Sequence, residues 1–436
     1  MPSRRAFLGA AALAATTAGC SSAADLLNLG PTVRVAVNWS GMELKAFRSV
    51  TSGLSKGDYR VVPIPFGDEI ALAFRTTPRP DVVMLPQPGL VATYLDELEP
   101  LPERAVAALR PWPNEALWRE LLVQRGPDGI SRWYGMPFKI TSKSSVWYRE
   151  ALFRENGLPV PQRWSDWVAL NEKLRRLGVR PLALPGADGW MLTDFFENVL
   201  LGCAPEAYTN LAGHRARLST EPAVEQALTL LGRLWAPPET LAGGVRRSLV
   251  QQYSDAVVEV FGHHRAAMVV APDFVEPWVR DYAHGDFGIV TFPAVDGDQA
   301  HPVRGGGTAP LVVGGDVAVL TAPASEAARN LVELLAGSQA PLPWIRGYGG
   351  FLAANQHDPG APYSLELREL ADQLTGNPQS IRFDLSDRLG PLGGSEGLWQ
   401  VVQKFLWEVG ERGEDQVPPA VDRALARLGE LEELEG

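Results

Sequence analysis

The chain is poor in the residues that staple or metallate small domains. Its 436 residues hold two cysteines, Cys20 and Cys203, and six histidines. If Cys20 is used elsewhere, Cys203 has no partner for an internal disulfide, and stability rests on core burial. Positive charge is also scarce, with 40 Lys and Arg against 51 Asp and Glu and a net charge of −11. That balance disfavours a nucleic-acid partner, because phosphate binding needs clustered cations. No H-E-x-x-H occurs, and Gly305-Gly306-Gly307 lacks the G-K-[ST] ending of a phosphate-cradling loop. Past the first 20 residues no apolar run approaches the roughly 20 residues that cross a bilayer, since LVVGGDVAVL is interrupted by Asp316.

What is present begins at the first residues, MPSRRAFLGAAALAATTAGCSS. A charged head, a short apolar middle and a small-residue tail have the layout of an export signal. S-R-R-x-F-L resembles a twin-arginine signal, which serves proteins that fold before export. T-A-G-C-S-S resembles a bacterial lipobox, with Thr17 where leucine is usual. The expectation is a leader over residues 1–19, a diacylglycerol on Cys20 and a tether over 20–31. Loss of Arg4 and Arg5 would leave 38 basic against 51 acidic groups, a charge of −13.

Beyond the tether, TVRVAVN alternates as a strand does, GMELKAFRSVTSGL has helical spacing, and YRVVPIPF, DEIALAFR and PDVVMLPQP read as strand, helix and strand. That order predicts a parallel α/β sheet whose ligands sit at the strands' carboxyl ends. WYGMPFKITSKSSVWY is extended and aromatic, a crossing into a second body. That body has helices in SDWVALNEKLRRLG, GWMLTDFFENVLLG and VEQALTLLGRLWA, and strands in RPLALP, AAMVVA and FGIVTFP. VRGGGTAPLVVGGDVAVL reads as glycine-rich turns around a strand. The last 120 residues or so read as mostly helical.

Taken in order, VAVNWSGMELKAF, RPDVVM, WYGMPF, VWYREALFRENGL, PVPQRWSDWVALNEKLRRLGVRPLAL, DGWMLTDFFENVLL, HRAAMVVAPDF, GGGTAPLVV and FDLSD resemble the extracellular solute-binding proteins of ABC importers. The likeness is to the sugar-binding group related to maltose-binding protein. It implies the type II periplasmic-binding-protein-like fold: two α/β lobes, each a central sheet flanked by helices, with a hinge and an interlobe cleft. It places lobe 1 at 32–140 with 305–352 and lobe 2 at 141–304 with 353–436. Crossings are expected near Lys139–Ser144, Val303–Thr308 and Gly350–Asn355. The implied protein is a monomer without a cofactor that closes on its solute and hands it to permease subunits.

A sugar offers a C–H face and a rim of hydroxyls, so its site wants flat aromatics and planar polar groups. Trp39, Ser40 and Glu43 follow the first strand, Phe66 and Asp68 the second, and Gln87 the third. Trp39 packing under its loop, Glu43 serving the helix dipole and Asp68 capping a helix explain those positions as well. Trp190, Asp194 and Asn198 recur every four residues on one helical face. Lys139 lies at the first crossing, where a solvated lysine is the plainer reading. Asp273 and Phe274 follow AAMVVA, Arg304 and Gly306 precede the second crossing, and Arg346 and Tyr348 the third. Asp384 and Asp387 read as turn caps. Three rivals stay open: a secreted glycoside hydrolase with paired carboxylates, a metal receptor using His263, His264, His284 and His301, and a surface interaction module without a small ligand.

Overall fold

The computed structural model describes residues 30–54, 59–110, 112, 114–297, 307–355, 360–376 and 380–435. The leader with Cys20, the tether before Gly30, Arg304, Gly306 and His301 therefore lie outside the described residues.

The chain first lays down β1 (Thr32–Val37), α1 (Gly41–Leu54), β2 (Arg60–Pro65), β3 (Val82–Leu85), β4 (Leu98–Glu99) and β5 (Gly135–Ser142). β1 runs parallel to β2 and to β3, as expected where strands are joined by crossovers. α1 forms because Ala46, Phe47 and Val50 repeat at helical spacing and bury one face, while Glu43 in the first turn complements the helix N-terminus. DEIALAFR, expected as an α-helix, winds as the 3-10 turn Gly67–Arg75.

After β5 the chain enters a second sheet through β6 (Ser145–Tyr148). There follow α2 (Trp164–Arg176), β7 (Arg180–Ala183), α3 (Trp190–Cys203), β8 (Ala266–Val270), α4 (Glu276–Ala283) and β9 (Gly288–Thr291). The strand order is β9-β6-β8-β7. The chain then returns with β10 (Leu311–Thr321), α5 (Leu342–Gly347), β11 (Leu352–Ala353), α6 (Leu365–Gly376) and β12 (Ile381–Phe383). It ends with α7 (Leu398–Arg412) and α8 (Val417–Glu435).

β10 is the spine of the first sheet. It lies between β5 and β3, antiparallel to both, and all of its residues are buried. A strand covered on both faces is apolar throughout, and LVVGGDVAVLT follows that rule except at Asp316. Gly314 and Gly315, read as turn residues, are inside this strand. A Cβ on Gly314 would come within 2.9 Å of Lys143 Cε, and one on Gly315 within 2.9 Å of the Trp118 ring.

Two hydrophobic cores result. The first gathers Val35, Phe47, Val83, Phe138, Val319 and Trp344, and the second Trp167, Phe195, Leu230, Trp235, Phe292 and Phe405. The second is held by a ring cluster in which Trp167 stacks on Phe195 at 5.6 Å and meets Phe292 edge-on at 5.3 Å. Full burial of each such side chain contributes roughly 1.5–3 kcal/mol. A further group of buried residues around Trp147, Val257, Phe261 and Val279 backs β6 and β8.

The third crossing departs from expectation. β11 pairs with β5, and Leu367, Leu370 and Leu374 of α6 are buried in the first core. Ala353, Ala354, Ala361 and the α6 leucines therefore pack in the first core, whereas the expected division places them in lobe 2. Phe383 still belongs to the first core and Leu385 to the second, so the chain changes bodies at 383–385 rather than at 350–355. No helix among the described residues is long and apolar enough to cross a membrane.

Candidate functional site

The two bodies touch where Gly350 of the first meets Phe274 and Pro277 of the second, and where Lys143 of the first crossing joins Asp194 of α3 to Asp384. In the first body, Trp39 packs within the core. It is 3% exposed, with its ring 4.9 Å from Trp344 and 5.0 Å from Phe47. Ser40 is exposed, and its carbonyl accepts the Leu44 N–H that starts α1. Glu43 is half-buried; burial raises its carboxyl and the Lys139 charge opposes the rise. Phe66 is half-buried against the first core. Asp68 lies on the 3-10 turn, its side chain outside the described residues. Gln87 reaches the Asp387 carboxyl from the end of β3.

Lys139, for which solvent is the plainer expectation, is 2% exposed instead. Its ammonium lies 5.1 Å from the Phe274 ring centre, 5.8 Å from Trp344 and 5.9 Å from Phe351. It also serves Glu43, Asp273 and Asp316, so one cation balances three carboxyls. Burial pushes Asp316 up to about 7 against the pull of Lys139, with Glu43 adding to the rise. Asp273 is fully buried and Oδ1 accepts the Ser142 N–H at 2.6 Å, which makes it a strut of the first crossing. Burial raises its carboxyl also to about 7.

The second body supplies an aromatic group. Phe274 lies 6.3 Å from Trp190 and 5.5 Å, edge-on, from Tyr253; all three rings are half-buried. Tyr348 approaches from the first body, with Glu43 and Tyr253 near its hydroxyl, and burial raises that phenol. Its carbonyl accepts Arg280 Nη2 at 2.7 Å, and the next-but-one N–H, from Gly350, donates to Glu276 Oε2 at 2.6 Å. Gly349 and Gly350 have φ of +85° and +57°. A Cβ on Gly350 would sit 2.8 Å from Pro277 Cδ and 2.9 Å from the Phe274 carbonyl, so bare backbone is what allows the bodies to touch here. Arg346 is exposed at the end of α5.

α3 carries Asp194 into the junction, but not on an open face. Every residue from Met191 to Gly202 is buried. Asp194 is 4% exposed; its Oδ1 accepts Lys143 Nζ at 3.0 Å, while Oδ2 is buried with no donor on it. Lys143 also pairs with Asp384. Glu197, fully buried, accepts from the Tyr208 hydroxyl at 2.8 Å and from the N–H groups of Leu385 at 2.5 Å and Ser386 at 3.2 Å. Asp384 Oδ1 does accept the Ser386 N–H at 2.7 Å, so it caps its turn and also binds Lys143. Burial pushes Asp194 up to about 7 and raises Glu197 and Asp387 further above their usual range; the Lys143 ammonium holds Asp384 below it. Lys143, Tyr253, Glu276 and Arg280 carry no signal in the sequence that singles them out.

A cavity of about 530 Å3 lies elsewhere, between β9 and α6, with Gln162, Thr291, Glu369 and Gln373 in its wall. It contains none of the candidate residues, and its one aromatic, Phe292, is fully buried. It too lies between the two bodies, but a sugar face finds no platform there. No group of His, Cys, Asp or Glu among the described residues is arranged to hold a metal ion.

No protein-family model matches the chain. It is 26% identical over 414 residues to the alpha-glucosides-binding periplasmic protein AglE of Rhizobium meliloti, covering 91% of this chain and 87% of that one. It is 26% identical over 340 residues to the osmoprotective compounds-binding protein GgtB of Synechocystis sp., covering 75% and 76%. Among solved structures, the bacterial solute receptor AcbH superposes with a TM-score of 0.74 at 16% identity, over 93% of this chain and 99% of that one. Over most of its length the chain is thus similar to periplasmic and extracellular solute-binding proteins. The chain shares the two-lobed type II fold with structures such as a maltose-bound MalE3, with a TM-score of 0.68 at 16% identity over 93% and 100% of the two chains. Its named relatives are binding proteins rather than enzymes.

Proposed function

We propose that the chain captures a carbohydrate or sugar-like solute between its lobes and delivers it to the permease of an ABC importer. The observation that carries this reading is the half-buried group Trp190, Phe274 and Tyr253, set beside Asp194, whose Oδ2 is buried without a donor. The rings suit the C–H face of a pyranose, and a bare carboxylate oxygen suits a hydroxyl. Tyr348 and Glu43 supply the opposing wall, and Ser40, Phe66, Asp68, Gln87 and Arg346 belong to its rim in this reading. Arg304 and Gly306, outside the described residues, keep the candidate status that sequence gives them. Relatives named for alpha-glucosides and a neighbour solved with raffinose point to the same ligand class.

The lobes then close on the solute by hinge motion, with the solute bound more tightly in the closed form than in the open one. The protein acts as a monomer without a cofactor, held to the outer face of the cytoplasmic membrane by lipid on Cys20. It turns nothing over, in contrast to a hydrolase. A thermal-shift panel of mono-, di- and oligosaccharides and polyols tests the central claim. At least one should raise the melting temperature and be recovered unchanged. Trp190→Ala should weaken its binding while leaving the fold intact, and unaltered affinity removes Trp190 from the site. Lipid label that persists on Cys20→Ser would refute the anchor.

A further inference from the structure

Lys143 stands in the first crossing, between β5 and β6, and its side chain is 14% exposed. Its ammonium donates to Asp194 Oδ1 at 3.0 Å and to Asp384 Oδ2, and lies 5.7 Å from the centre of the Trp190 ring. Its stem runs over Gly314 of β10, where a Cβ would crowd Cε. Asp384 is on the third crossing. Lys143 thus connects two interlobe strands, through one side chain, to both groups on α3 that the solute reading uses.

We propose that Lys143 is a positioning residue of the solute site. It fixes the Asp194 carboxylate against the returning crossing, so that Asp194 Oδ2 and the Trp190 face meet the solute together. The inference rests on the interlobe solute reading. Asp194 Oδ2 is buried without a donor, a condition a bound hydroxyl relieves. The geometry also makes binding proton-linked, because ionised Asp194 offers every lone pair of Oδ2 to the solute's hydroxyls, whereas the protonated acid gives part of that acceptor capacity up. Facing Lys143 and Asp194 are Glu197 from α3, Asp384 and Asp387 from the third crossing, and, through Glu197, Tyr208. Burial raises Asp194 into the neutral range; Lys143 opposes the rise and Asp384 adds to it.

The test measures Kd from pH 5.5 to 8.5 by calorimetry, with maltose, raffinose and galactose as probes. Wild type should bind at least one of them, more weakly as pH falls through about 7, by up to tenfold per unit. Lys143→Met should lose about tenfold or more at pH 7.5 and move the midpoint to higher pH, since the cation that favours ionised Asp194 is gone. Lys143→Arg should keep the wild-type profile. Asp384→Asn should move the midpoint the other way, which decides the matter if Lys143→Met does not fold. A merely structural pair would lower the melting temperature of these variants while leaving the pH profile of Kd in place, and that result overturns the inference alone. If wild type binds none of the probes, the solute reading for these sugars fails and the inference with it.

Discussion

Asp316 offers a measurable consequence of burying a carboxyl beside a shared cation. It is 6% exposed in the middle of β10, and burial pushes it to about 7, Lys139 notwithstanding. In the unfolded chain such a group titrates near its ordinary value of 3.8. A carboxyl whose folded value is raised binds its proton more tightly in the native state. Its stabilising contribution is therefore complete below about pH 4 and is lost as pH rises through about 7. With those two values, the part lost between pH 5 and pH 8 comes to about 3 kcal/mol. The perturbation is Asp316→Asn, which keeps shape and abolishes the titration. Urea unfolding of both proteins at pH 5 and pH 8 gives the comparison, since other titrating groups cancel in the difference. Relative to wild type, the asparagine variant should gain about 3 kcal/mol on going from pH 5 to pH 8. A difference constant to within about 0.5 kcal/mol would show that Asp316 stays ionised and that Lys139 serves it fully.

Gly350→Ala should destabilise by about 1–3 kcal/mol, because φ is +57° and the new methyl meets Pro277 and the Phe274 carbonyl; chemical unfolding reads it. Small-angle scattering of that variant should report a larger radius, since the added methyl stands where the backbones of the two lobes touch. Cys203 should resist thiol reagents in the native protein at pH 8 and react once urea is added, because burial pushes its thiol up to about 12. Rapid native labelling would contradict that burial.

The elements most readable in sequence are those whose pattern is local. TVRVAV alternates, GMELKAFRSVTSGL repeats every three to four residues, and both appear as β1 and α1. Trp190 and Asp194 stand out by their spacing, although α3 is buried all round, and no periodicity distinguishes a cleft face from a packed one there. What escapes the sequence is long-range. Gly314 and Gly315 look like a turn until Lys143, Trp118 and the Lys139 backbone are seen against them. Lys139 and Lys143 look solvated until carboxyls from other segments surround them. The third crossing is misplaced in sequence because β11 is two residues long, too short for any pattern, and its partner β5 lies about 200 positions earlier. Trp39 illustrates the opposite error, a position at a strand end whose ring turns inward onto Trp344.

The place of β10 governs how the protein can come into being. A nascent chain that has released only β1 to β5 holds β3 and β5 with nothing to insert between them, two open edges of the kind that invite aggregation. Neither half of the molecule can be completed ahead of the other, because the stretch that fills the first sheet is made after the whole second sheet. Assembly must wait for nearly full-length polypeptide, and a cell making this protein has to shield an unfinished intermediate rather than a finished half.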